Sequence, residues 1–360
     1  MYYFESEFLH TESLFFGALF FQLFESKIPQ GKINSSGYLY CQIFPQFLNI
    51  ICLNSYIGFT LAIMWKQLLK DIVLGNIKSL ARAISLVENE YVGFETFLED
   101  LPNITTRITG ITGAPGAGKS TLTDALIGEL VARNQKVGVL CVDPSSPFNL
   151  GALLGDRIRM SEWYNHPNVF IRSLASRGSL GGLHPKIIEI TDVMKVAGFD
   201  HILIETVGVG QSEIEIVGLA ETTIVVMVPE SGDEVQTMKA GLLEIADVFV
   251  VNKADRPGAD TFVKNLQMLL APSFHRPVTE VPIVKTIASQ KEGIKELFEK
   301  IEAHNQLNQT HDKQYWLLAE KAYQLIQQNR MKNISKVELK KDLEEGGNKN
   351  LYQLIKKFSN

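Results

Sequence analysis

The residues best suited to chemistry form one unbroken run, Gly113-Ala114-Pro115-Gly116-Ala117-Gly118-Lys119-Ser120. It satisfies G-x-x-x-x-G-K-[ST] at every defined position. Such a loop wraps a polyphosphate in backbone N–H groups, and side chains would block that approach, hence the glycines at 113, 116 and 118. Lys119 brings a point charge to the β- and γ-phosphates, and the Ser120 hydroxyl is a ligand for Mg²⁺. The run continues through Thr121 into a helix whose N-terminal dipole favours an anion.

A second cluster, Asn252-Lys253-Ala254-Asp255, follows the apolar run Val248–Val251. N-K-x-D at a strand end reads guanine. The Asp255 carboxylate accepts from the base N1–H and 2-amino group, a pair of donors that adenine does not offer in that arrangement. Asn252 supports the loop, and the Lys253 stem lies along the base plane. The segment Thr286-Ile287-Ala288-Ser289 ends the next strand, and its backbone at Ala288 is placed for the base O6. Hard-oxygen ligands for Mg²⁺ are Ser120, Asp143 at the end of the second strand, Asp156 in Leu154-Gly155-Asp156-Arg157, and Glu205. Glu205 opens Glu205-Thr206-Val207-Gly208, where regulatory GTPases have Asp-x-x-Gly. Gly208 offers its N–H to the γ-phosphate.

These residues need a scaffold, and the flanking pattern supplies one. Strand candidates are Ile108–Ile111, Val137–Val142, Val169–Arg172, His201–Glu205, Thr223–Val228, Val248–Val251 and Ile283–Thr286. They are short, apolar and rich in β-branched residues, as strands buried on both faces are. Helical stretches separate most of them, including one from Thr121 to Arg133. The expected fold is therefore α/β, a doubly wound, mostly parallel sheet. Its ligands belong at the carboxyl ends of the strands, where nearly all the residues above fall. From Trp65 to Glu90 the spacing is helical with a break at Gly75-Asn76. After Lys300 a polar tail carries an apolar stripe at Trp316, Ala319, Ala322, Tyr323 and Ile326, then short helices around Val337–Leu343 and Leu351–Ile355.

The expected organisation is an atypical extension (1–63), a helical cap (64–102), the nucleotide domain (103–302) and a helical arm (303–360). Residues 1–63 hold no Arg and are rich in Phe and Tyr. They fit neither a secretory nor a mitochondrial leader. The apolar stretch Phe47–Met64 is interrupted by Asn49, Asn54 and Ser55, and is short for the roughly 20 residues of a membrane span. Three readings compete: a hydrophobic anchor, an extra packing segment, and an upstream extension with natural translation starting at Met64; the last is favoured because amphipathic pattern begins right after Met64. The chain of 360 residues is 45% hydrophobic and 21% charged, with net charge −5. That balance gives no ground for nucleic-acid or charge-driven membrane binding. Three cysteines form no disulfide or metal spacing, so a cytoplasmic setting is expected.

From Trp65 onward the chain resembles the methylmalonyl-CoA mutase-associated GTPases, the MeaB/ArgK family. The resemblance rests on Gly113–Ser120, Val142–Phe148, Leu154–Met160, Glu205–Glu213 and Asn252–Asp255. It implies a homodimeric GTPase, cycling between GTP and GDP with Mg²⁺, that escorts a cobalamin-dependent acyl-CoA mutase and gates adenosylcobalamin delivery. It puts Asp143 and Asp156 in a first switch, Glu205 in a second, and Pro229–Lys239 in a third. There Lys239 would swing toward the phosphates and act with Lys119 and Glu205 in catalysis. Gln211 and Glu213 are candidates to orient water, and the C-terminal helices match the family's dimerisation arm. Rival readings are an ATPase or kinase tied to amino-acid transport, against which Asn252–Asp255 speaks, and a metal-insertion chaperone, for which the scattered histidines supply no cluster.

Overall fold

In the computed structural model, the described residues are 58–143, 160–176, 183–207, 216–231, 245–270, 281–307, 311–331, 333–345 and 350–358. Asp156, Gly208, Gln211, Glu213 and Lys239 lie outside them, as does most of the 1–63 extension. The chain divides into two compact units, Met1–Lys70 with Val92–Phe97, and Asp71–Tyr91 with Leu98–Asn360.

In the described part of the first unit, Trp65 organises the packing. Its ring stacks on Phe97 with centroids 4.6 Å apart, and its Nε1 donates to the Val92 carbonyl at 2.9 Å. The helix that carries it runs over 58–73, so helical structure does not begin after Met64 as the pattern suggested. Apolar Phe59 and Ile63 extend the helix upstream although both are exposed, and exposed positions leave no amphipathic stripe to read. No helix among the described residues is long and apolar enough to cross a membrane.

The second unit is built on a seven-stranded sheet: β1 (Arg107–Gly113), β2 (Val137–Asp143), β3 (Val169–Ala175), β4 (His201–Glu205), β5 (Thr222–Met227), β6 (Val248–Asn252) and β7 (Ile283–Thr286). The spatial order is β3-β2-β4-β1-β5-β6-β7, and every registered pair is parallel. Successive residues point to opposite faces. Along β5 and β6, Ile224, Val226, Val248 and Val250 join one core with Leu122, Leu126 and Leu297. The alternate residues Val225, Met227, Phe249 and Val251 join another with Phe262 and Leu266. Both faces are thus covered, which is why these strands read as continuous apolar runs.

The break at Gly75-Asn76 falls where expected. Gly75 takes φ 81°, and the Asn76 side chain caps the helix Ile77–Glu88 by accepting from the amides of Lys78 and Ser79. Leu80, Ala83, Ile84 and Val87 form its buried stripe. Its last residue, Glu88, pairs with Arg172 of β3 at 2.8 Å, fastening the helix to the sheet's edge strand. The tail forms helices His311–Met331, Lys336–Glu345 and Leu351–Phe358.

Candidate functional site

β1 ends at Gly113 and the next helix starts at Lys119 (Lys119–Ala132), so the Gly-rich run is the whole connection between them. Two glycines explain why the loop can close. Gly113 has φ 139°, and a Cβ there would sit 2.1 Å from the Val226 carbonyl oxygen of β5. Gly118 is left-handed at φ 91°, and its Cβ would come 2.4 Å from Asn252 Nδ2. Gly118 also occupies the helix N-cap and gives no side-chain cap, and no acidic residue stands in the first turn. The helix therefore brings no side-chain cap and no acidic residue of its own to its N-terminus.

The loop lines a cavity of about 440 Å³ with Pro115, Gly116, Gly118, Lys119, Ser120 and Thr121 on one side, and Val142, Glu205, Thr206, Val207 and Lys253 on the others. Lys119 is nearly buried. Its Nζ donates to the carbonyls of Gly113 at 2.9 Å and Ala114 at 3.2 Å, which holds the ammonium against the loop. Ser120 Oγ donates to Glu205 Oε1 at 2.6 Å across from the end of β4. Asp143 ends β2, the strand beside β4, and is 2% exposed. Ser120, Glu205 and Asp143 are all hard oxygen donors at one edge of the sheet, a set that suits Mg²⁺.

Asn252 closes β6 and ties three segments together. Its Nδ2 donates to the Ala117 carbonyl at 2.9 Å, while its Oδ1 accepts from Thr286 Oγ1 and the Ala288 amide, both at 3.1 Å. The expectation for Ala288 was a base contact; its amide serves Asn252 here. Lys253 takes the left-handed φ of 56° and its Nζ donates to the Gly116 carbonyl at 2.8 Å, laying its stem across the mouth of the loop. Asp255 is exposed two residues further on. Arg256 follows it and pairs with Glu230 just after β5, and this guanidinium holds the Glu230 carboxyl below its usual range.

The structure therefore brings Gly113 to Thr121, Asp143, Glu205, Asn252, Lys253, Asp255 and Ala288 to the carboxyl edge of one sheet. Two contributors were missed. Thr123 Oγ1 lies 3.0 Å from Glu205 Oε2, a contact signalled only by its spacing of three residues from Ser120. Thr206 Oγ1 donates to Thr112 Oγ1 at 3.0 Å and its amide to the Ile111 carbonyl, splicing the residues after Glu205 onto the end of β1. Trp163 Nε1 also donates to Asp124 Oδ1 at 2.7 Å on the phosphate-loop helix. Burial raises the Asp124 pKa against that hydrogen bond.

A strand, a glycine loop and an uncapped helix at the carboxyl edge of a doubly wound parallel sheet define a P-loop nucleotide-binding protein. The family described as methylmalonyl-CoA mutase-associated GTPase MeaB matches residues 80–342, and the chain belongs to it. It is a GTPase. A provisionally named GTPase of Pyrococcus abyssi is 48% identical over 248 residues, 68% of this chain and 76% of its own. A protein of Geobacillus kaustophilus named fused isobutyryl-CoA mutase is 38% identical over 231 residues, 60% of this chain and 21% of its own. The crystal structure of a LAO/AO transport system kinase superposes with TM-score 0.57 at 22% identity, covering 82% of this chain and 96% of that one, a likeness of fold alone.

Proposed function

We propose that this GTPase escorts a cobalamin-dependent acyl-CoA mutase, using hydrolysis of GTP to GDP and phosphate to gate adenosylcobalamin delivery and protect the mutase. The observation that carries this is a relative in which a segment 38% identical to this chain belongs to a protein named fused isobutyryl-CoA mutase. Covalent fusion keeps two partners at high effective concentration, and is useful where they act together.

In the site, amides of Gly113–Thr121 cradle the phosphates, and Lys119 turns from the loop carbonyls to the β- and γ-oxygens. Asp255 selects guanine, with Lys253 along the base and Asn252 fixing the loop beneath. Ser120, Asp143 and Glu205, joined by Asp156, would hold Mg²⁺, which neutralises charge on the phosphate oxygens. The Gly208 amide meets the γ-phosphate. Lys239 stabilises charge as the partner docks, and the switch segments relax once phosphate leaves. Residues 103–302 carry this chemistry, 64–102 form a cap, and 303–360 form the arm of a homodimer. The setting is cytoplasmic.

Affinity capture from native extract with a non-hydrolysable GTP analogue tests the reading. Recovery of an acyl-CoA mutase is expected. Recovery of an amino-acid permease in its place would overturn it.

A further inference from the structure

Thr123 has no place in the phosphate-loop motif, yet its hydroxyl reaches the site. It stands three residues after Ser120 on the Lys119–Ala132 helix, so the two hydroxyls lie on one face a turn apart. Both face Glu205 at the end of β4. Ser120 Oγ donates to Oε1 at 2.6 Å, and Thr123 Oγ1 lies 3.0 Å from Oε2, so the carboxylate is held at both ends. Thr123 is wholly buried and Glu205 is 3% exposed.

Thr123 Oγ1 is also 3.0 Å from the Lys119 carbonyl of its own helix. A hydroxyl has one proton to donate. Donation to the carbonyl four residues back is open to any helical threonine. A hydrogen bond to an ionised carboxylate is roughly twice as strong as one to a neutral carbonyl, so the proton goes to Glu205.

We propose that Thr123 is a positioning residue for the divalent-metal site: it grips Glu205 Oε2 and so keeps Oε1 turned toward Ser120. The requirement follows from the length of the side chain. Glutamate carries one more methylene and one more rotor than aspartate, and a second fixed donor removes that freedom. The inference rests on the Mg²⁺ reading of Ser120 and Glu205.

The test follows dissociation of a fluorescent non-hydrolysable GTP analogue as Mg²⁺ is varied. Thr123→Val keeps the branched shape and removes the hydroxyl. It is expected to raise the Mg²⁺ concentration for half effect about tenfold or more, the usual scale for losing a partner of a metal ligand, while the rate in chelator changes by less than about twofold. Thr123→Ser restores the wild-type value. In a Glu205→Ala background, adding Thr123→Val shifts the Mg²⁺ dependence no further. A wild-type half-point in Thr123→Val, no rescue by Ser, or an equal shift without Glu205 would each overturn the role of Thr123. If the valine variant does not fold, Thr123→Ala carries the same expectation and the same overturning result. Wild-type protein with no response to Mg²⁺ would instead remove the metal reading itself, and this inference with it.

Discussion

At Asn252 one primary amide bonds to the phosphate loop through Ala117, to β7 through Thr286, and to the following turn through Ala288. The Asn252–Asp255 turn and the Gly113–Ser120 loop thus share a side chain. Residue roles can be tested on either side of it. Lys119→Ala should cut single-turnover GTP hydrolysis by at least about a hundredfold, the scale of losing one preorganised charge donor. Phosphate release at the wild-type rate would remove Lys119 from the chemistry. Asp255→Asn turns an acceptor of two hydrogen bonds into a partial donor. GTP affinity should fall about ten- to a hundredfold while xanthosine triphosphate gains, as competition binding would show; an unchanged base preference would refute the guanine pocket. Gly113–Ser120 and Asn252–Asp255 were legible because their chemistry fixes residue types at fixed spacing. Thr123 and Thr206 were not. A threonine inside a helix or after a strand has no signature until the fold shows which oxygen lies opposite it.

The strands show what local pattern can and cannot reach. All seven candidates are strands, and His201–Glu205 and Ile283–Thr286 match to the residue. β1 runs on to Gly113 where the apolar run stopped at Ile111, because Thr112 and Gly113 pair with Val225 and Val226. β3 runs on to Ala175 because Cys141, Val142 and Asp143 extend the ladder alongside it. Such pairings are long-range and leave no trace in neighbouring residues. At the opposite end of the sheet, burial pushes the His201 imidazole below its ordinary 6.5; Arg107 adds to the effect and Glu302 works against it. As pH falls, the folded state therefore takes up this proton later than the unfolded chain, whose imidazole titrates near 6.5. Stability should drop from there down to the folded pKa, more steeply than in His201→Gln, by up to about 1.4 kcal/mol per pH unit. Denaturant unfolding between about pH 7 and 5 measures this; equal slopes in the two proteins would exclude it.

On the scale of the whole molecule, the C-terminal helices carry apolar residues that their own unit leaves exposed. Tyr323 and Ile326 on one helix and Leu351, Tyr352 and Ile355 on the last are all more than half exposed. Where exposed apolar residues form a contiguous patch, it marks an interaction site. The helical period was legible in the tail, but periodicity marks an apolar face without naming what covers it. Under the homodimer reading, light scattering should give twice the chain mass. Ile326→Glu with Ile355→Glu should halve it and leave GTP binding intact, whereas an unchanged mass would place the subunit contact elsewhere.

Gly118 begins the helix at the end of the glycine loop without offering any side-chain acceptor to its amides. A phosphate bound there would act as the cap that this helix lacks from its own side chains, so nucleotide should raise the stability of the fold. At a hundredfold excess over Kd, GTP or GDP should add about 2.7 kcal/mol to the folded state. Inside a cell, dwindling guanine nucleotide would reach this enzyme first as a softening of its architecture and only afterwards as a slower rate.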